Sequence, residues 1–180
     1  MLPVQQQALD YLQRHSVMSL ATVGPEGVWA AAVFYVNDGF TLYFLSAPTS
    51  RHARNLEATG RVAATVQDDY ADWREIRGIQ LEGDTVRIGG AEEASAVLRY
   101  GQKFPVVANL ASAPREIVRA FEHIRWYRIR PTRLYFIDNS QGLGHRDEVP
   151  LTRIVHEGRV NNPGVPGQER FPPAHERVRD

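Results

Sequence analysis

A short stretch of basic and hydroxyl-bearing residues offers the clearest chemistry in this sequence. Thr49 and Ser50 are suitable helix N-caps, and Arg51, His52 and Arg54 then fall in the first turn of the helix. Basic groups at a helix N-terminus oppose the macrodipole, which is already positive there. With the backbone amides and the two hydroxyls, they form a good receptor for a phosphate group. The alternative is that the arginines simply extend into solvent.

The composition limits what can surround this stretch. The chain has 180 residues, 43% of them hydrophobic, which is enough for one domain with a proper core and too few for two. Lys plus Arg and Asp plus Glu number 21 each, so the charge balance predicts neither nucleic acid nor a membrane as the main partner. There is no cysteine and no signal-peptide pattern, so we expect a soluble cytoplasmic protein.

Hydrophobic periodicity and turn residues predict a mainly β fold with flanking helices, in which about six strands form a Greek-key-like barrel. Pro131 interrupts the last strand, which is predicted as one bent strand or as two. Residues 1–150 are assigned to the barrel domain and residues 151–180 to an extended or partly disordered tail. The predicted strands are 17–23, 28–36, 40–45, 61–67, 76–88 and 124–137, and the predicted helices are 4–15, 51–60, 91–103 and 114–122.

Several motifs follow one another in a recognisable order. They are Asn37-Asp38-Gly39-Phe40, Ser50-Arg51-His52, Asn55-Leu56, Arg61-Val62-Ala63 and the segment 78–83. In this order they resemble the FMN-binding split β-barrel superfamily, typified by pyridoxamine phosphate oxidase, over roughly residues 10–150. Later motifs resemble a small uncharacterised bacterial branch of that superfamily; these are Tyr100, 104–106, Leu110, 112–114, Asp138-Asn139 and 142–144.

The resemblance implies a homodimer that binds FMN between two barrels, with a Ser-Arg-Lys motif holding the phosphate. Here that motif reads Ser50, Arg51 and His52, and Ser46 and Thr49 precede it in a loop two residues longer than in the oxidase. All five residues are candidate FMN ligands. Because His52 stands in place of a lysine, the affinity for the phosphate would depend on pH near neutrality.

The resemblance also implies that the flavin ring lies beside the strand of residues 31–36, partly against its main chain, which makes Val33 and Phe34 candidates. The position that supplies a glutamine to the flavin in the oxidase falls on a glycine here. Gln80 lies two residues further along the strand on the same face. It is therefore a candidate flavin contact, and the alternative is a barrel-lining residue. Arg146 follows a glycine-bearing loop. It is a candidate second anion ligand, and the alternative is an exposed basic residue.

The predicted function is FMN-dependent oxidoreduction with an unknown substrate and electron donor. No catalytic acid, base or nucleophile stands out, and the arginine and histidine pair with which the oxidase recognises pyridoxamine phosphate has no match. Six scattered histidines without paired spacing predict no metal site. Three alternatives stay open: the deazaflavin F420 as cofactor, haem bound by His145, His156 or His175, and a flavin carrier without catalytic activity.

Overall fold

The computed structural model describes residues 1–105 and 123–151, together with Arg115, Val118 and Arg119. The predicted helix at 114–122 and the tail at 151–180 therefore lie almost entirely outside the described residues. So do His156, His175 and most of the predicted motifs between 104 and 114. The described helices are α1 (Pro3–Arg14), α2 (Arg51–Thr59) and α3 (Gly90–Lys103), and the described strands are β1 (Val17–Gly24), β2 (Gly27–Asp38), β3 (Thr41–Ser46), β4 (Arg61–Gln67), β5 (Arg77–Arg87), β6 (Arg125–Asp138) and β7 (Arg146–Glu148).

The strands form one antiparallel sheet in the order β3-β2-β1-β4-β5-β6-β7. An additional pairing of β3 with β6 closes β1 to β6 into a barrel. The strands β1, β2 and β3 follow one another as hairpins, and β4 returns to lie beside β1, which is a Greek-key connection. The prediction of a mainly β barrel of about six strands with flanking helices is confirmed.

The last barrel strand runs as one element past the proline that interrupts its pattern. Pro131 pairs with Gly83 on β5, and the register shifts between Glu82 and Gly83. A Cβ atom on Gly83 would lie 2.3 Å from the carbonyl oxygen of Arg130, so only glycine permits this close approach of the two strands. The bent single strand, one of the two predicted possibilities, is therefore the one found.

Alternating residues fill the barrel, and a helix closes each end. On β1, Met18, Leu20 and Thr22 are buried and their neighbours face outward. Helix α1 packs Leu12 into the core near the start of β1, whereas α2 packs Leu56 near the end of β1. A smaller apolar cluster lies between α3 and the outer side of the barrel. No helix in the described parts of the chain is long and apolar enough to span a membrane.

Candidate functional site

Helix α2 begins and ends where the sequence predicts. The backbone N–H of Ala53 donates to the hydroxyl oxygen of Ser50, which is the N-cap, at 3.3 Å. At the other end Gly60 adopts a φ of 65° and donates its N–H to the carbonyl of Leu56, which is the usual glycine C-cap. Because Ala53 and Leu56 are buried in the core, the first turn of α2 is held firmly against the barrel.

A small polar cluster joins the end of β3 to the start of α2. The hydroxyl oxygen of Ser46 lies 2.7 Å from Nε2 of His52 and 3.0 Å from the hydroxyl oxygen of Ser50, which is 3.3 Å from the same nitrogen. Ser46 is buried and His52 half-buried. Burial lowers the pKa of His52 below its usual value, because the charged imidazolium loses solvation. The structure thus brings three candidate residues together, with an imidazole that is neutral at neutral pH.

The two arginines of α2 turn away from this cluster, toward the tip of the β1–β2 hairpin. Arg51 donates to the carbonyl oxygen of Glu26, and its Nε lies 3.8 Å from the Glu26 carboxylate. Arg54 donates to the carbonyl oxygen of Thr49, and its terminal nitrogen lies 3.5 Å from the same carboxylate. Thr49 itself is exposed. A carboxylate from a distant turn therefore balances the basic start of α2.

Arg51 keeps one hydrogen-bond donor unused. Its Nε is buried and donates to no partner among the described residues. The guanidinium carbon lies 4.7 Å from the centre of the Trp29 ring, so a cation–π contact holds the side chain in place. Sequence reasoning missed both Glu26 and Trp29. The one available signal was that α2 has no acidic residue in its first turn, which leaves its arginines to find an acid elsewhere.

Two of the strand candidates share the outer face of the barrel. Phe34 is 56% exposed and pairs with Val17, while Gln80 is half-buried and pairs with Thr65 on β4. Val33 alternates with Phe34 and packs against the core. Apart from Ser19, the exposed residues of β1 and of the part of β2 paired with it are apolar on this face. With one residue of β4 they are Val17, Ala21, Val23, Val28, Ala30, Ala32, Phe34 and Ala63. We call these eight residues the outer apolar face.

Arg146 lies at the other end of the barrel from α2. It is exposed on β7 opposite Ile137, which pairs with Gly78, and Gly78 pairs with Gln67. By the pairing of β4 with β1, Gln67 lies beside the start of β1. Glu26 and the start of α2 lie beyond the last residue of β1, at the opposite end of the barrel. Within one copy of the chain, Arg146 therefore does not join the polar cluster at α2.

The fold is an antiparallel Greek-key barrel, and a cluster of two hydroxyls and an imidazole lies at the start of α2. A family model described as pyridoxamine 5'-phosphate oxidase matches residues 4–138, which is more than half of the chain. The chain belongs to that family. A UPF0306 protein of Klebsiella pneumoniae is 33% identical over 138 residues, which cover 76% of this chain and 86% of that protein. The predicted membership of a bacterial branch of the split-barrel superfamily is confirmed.

Solved structures share the fold at low sequence identity. HutZ, the haem storage protein of Vibrio cholerae, superposes with a TM-score of 0.60 at 16% identity, over 74% of this chain and 94% of HutZ. A FAD-binding protein of Mesorhizobium loti has a TM-score of 0.56 at 13% identity, over 72% of this chain and 90% of that protein. At these identities the likeness is one of fold.

Proposed function

We propose that this protein binds FMN between two copies of the chain and acts as a flavin-dependent oxidoreductase. The observation that carries the proposal is the start of α2. There the hydroxyls of Ser46 and Ser50 meet at a helix N-terminus, and the guanidinium of Arg51 in the same helix turn lies toward the β1–β2 hairpin, in a member of the pyridoxamine 5'-phosphate oxidase family. Hydrogen-bond donors and positive charge are what a phosphate group requires.

The residues at this helix start fit a phosphate, and Glu26 is the group that competes with it. The buried Nε of Arg51 is an unused donor, and an anion between Arg51 and Arg54 would gain two guanidinium partners. The Glu26 carboxylate already lies there, although its side chain is 64% exposed. Partly exposed ion pairs contribute about 0 to 1 kcal/mol, so a phosphate with its larger charge can displace the carboxylate.

The outer apolar face supports the proposed second copy. Val17, Val28 and Phe34 on this face are each more than two-fifths exposed. Exposed contiguous apolar surface is typical of a protein interface. Because Arg146 and the start of α2 lie at opposite ends of one barrel, only two copies could bring both to a single cofactor. A homodimer would thus complete the site that one chain leaves divided.

The flavin would carry the redox chemistry, and it supplies two-electron transfer when bound. The chain's part is to bind and orient it. The helix start would hold the phosphate, and Phe34 and Gln80 on the outer face would lie near the ring, with the main chain at Val33 behind them. No side chain is assigned as acid or base.

The test is to purify the full chain, record its absorbance spectrum, and titrate it with FMN while following flavin fluorescence. We expect a flavin spectrum or saturable binding, with one FMN per chain in a dimer by analytical ultracentrifugation. Addition of NADH, NADPH or a flavin reductase should then bleach the bound flavin. A colourless monomer that does not bind added FMN would overturn the proposal. If FMN binds but no donor reduces it, the protein would be a flavin carrier without catalytic activity.

Haem is the second candidate, because the structural neighbour HutZ is described as a haem storage protein. In this chain His145 lies on the loop before β7, with its Nε2 3.1 Å from the Asp147 carboxylate. Titration with haemin distinguishes the two cofactors. A Soret band that is lost in His145→Ala would favour haem, and competition of F420 against FMN tests the deazaflavin.

A further inference from the structure

A polar cavity lies at the α1 end of the barrel, away from the start of α2. Its volume is about 540 Å³, within the range of small-molecule sites. Helix α1, the loop at 68–72, the start of β5 and the end of β6 surround it. Neither the phosphate-binding residues proposed above nor the outer apolar face lines this cavity.

Two pairs of polar side chains lie in the walls of the cavity. Nε2 of His15 lies 3.0 Å from the Asp68 carboxylate. Nε of Arg77 donates to the Asp138 carboxylate at 3.2 Å, and that carboxylate also accepts bonds from the loop that follows it. The hydrogen bonds to Asp138 outweigh its burial and lower its pKa, so the second pair stays charged. Each of these four groups therefore has a partner in the cavity wall.

Asp10 and Arg14 also line the cavity, and they are not matched. They are four residues apart on α1, a spacing at which opposite charges usually pair. Here Nε of Arg14 instead donates to the carbonyl oxygen of Asp10, and the Asp10 carboxylate accepts from the amide of Gln6 at 2.8 Å. Neither charged group forms an ion pair with any part of the chain that the structure describes. One negative and one positive group therefore border the cavity side by side.

The floor between Asp10 and Arg14 is aromatic. The Tyr11 ring stacks on His15 at 3.8 Å and meets the edge of Phe136 at 5.9 Å. The hydroxyls of Tyr11 and Tyr70 lie 3.1 Å apart. Burial raises the pKa of Tyr11, so its phenol stays protonated over the working pH range. The cavity thus combines an aromatic wall with one unpaired charge of each sign.

We propose that this cavity binds a small zwitterion with an aromatic body, of the chemical class of the aromatic α-amino acids. The carboxylate of the ligand would meet the guanidinium of Arg14, its ammonium would meet the carboxylate of Asp10, and its ring would pack against Tyr11 and Tyr70. The proposal does not depend on flavin binding, because it uses different residues at the other end of the barrel.

The experiment is saturation-transfer NMR on the full chain, with L-phenylalanine as the probe. N-acetyl-L-phenylalanine lacks the ammonium group and L-phenylalanine methyl ester lacks the carboxylate, so the pair tests each charge separately. The variants Asp10→Asn and Arg14→Gln remove the two protein charges. Arg130→Gln is the matched control, since it removes one exposed positive charge from β6 outside the cavity. Circular dichroism checks that each variant is folded.

We expect L-phenylalanine to bind, and each analogue and each cavity variant to weaken binding by about tenfold or more, as expected for the loss of one ionic contact. Arg130→Gln should bind like the parent protein. Absence of saturation transfer in the parent would overturn the proposal. The proposal would also be overturned if either analogue bound as well as L-phenylalanine, because one charge on the ligand would then suffice. Unchanged binding in both cavity variants would overturn it too.

Discussion

The basic groups of α2 and Lys103, which lie at opposite ends of the barrel, are held in different ways. At the α2 end, Arg51 and Arg54 share one partly exposed carboxylate, that of Glu26, at 3.8 and 3.5 Å. At the α1 end, Lys103 meets no carboxylate within the described residues. Its amine donates to the carbonyl oxygens at the end of α1 and lies 4.5 Å from the centre of a tyrosine ring.

The partner of Arg51 and Arg54 can be replaced by another anion, whereas the partners of Lys103 cannot be replaced. The carbonyls that hold Lys103 belong to the helix backbone, and burial lowers the pKa of Lys103 to about 8. The Glu26 ion pairs are partly exposed and weak, so another anion can take the place of the carboxylate. The contacts of Lys103 are thus part of the fold, whereas the contacts of Glu26 can be replaced by those of another anion.

The largest expected effect tests whether both helices are equally anchored. Leu12 and Leu56 are almost fully buried, so Leu12→Ala and Leu56→Ala should each lower the free energy of unfolding by about 2 to 5 kcal/mol. Urea unfolding followed by circular dichroism measures this. Leu98→Ala, at a position that is 70% exposed, is the control and should stay within about 0.5 kcal/mol. A small loss for Leu56→Ala alone would mean that α2 is loosely attached.

The next effect concerns Lys103 at the α1 end of the barrel. Because burial lowers the pKa of Lys103 to about 8, the folded state loses this proton at a lower pH than the unfolded state does. Stability should therefore rise with pH from about pH 8 to about pH 10.5, by roughly 1 kcal/mol once partial exposure is allowed for. Urea midpoints across this range measure the slope. Lys103→Met should flatten the slope, and an equal slope in this variant would assign it to other groups.

A smaller effect tests whether Glu26 competes with the ligand. If the carboxylate occupies the place of a phosphate, Glu26→Gln should tighten FMN binding by about twofold to fivefold, the equivalent of a weak ion pair. Fluorescence titration measures the dissociation constant. Asp84→Asn is the matched control, since it breaks a similarly exposed pair with Arg61. Weaker binding in Glu26→Gln would show that Glu26 supports the site.

The smallest effect concerns His52. Because burial lowers its pKa, His52 becomes cationic only in acid, and FMN binding should then gain a contribution that is absent at neutral pH. The FMN phosphate titrates in a similar range, so the comparison is between the parent and His52→Gln. We expect dissociation constants that agree at about pH 8 and diverge by about twofold below pH 6. If the dissociation constants of the parent and of His52→Gln change in parallel with pH, His52 does not contact the phosphate.

Much of the barrel could be predicted because its signals are local. The strand predicted at 61–67 is found as Arg61–Gln67, and the cap residues Ser50 and Gly60 bound α2. The partners of the arginines could not be predicted in this way. Glu26 lies 25 residues before Arg51, and no periodicity or capping rule connects a hairpin tip to a later helix. The role of the nine candidate FMN ligands stays a prediction.

By itself, the sequence determined the alternation that buries one face of each strand, the glycine turns between strands and the capped ends of α2. These depend on backbone geometry and on side chains a few residues apart. Only the tertiary structure decided that Arg51 meets Glu26 and that Arg146 lies at the opposite end. The reason is that the closure of β3 on β6 and the strand register determine which distant residues share an end of the barrel.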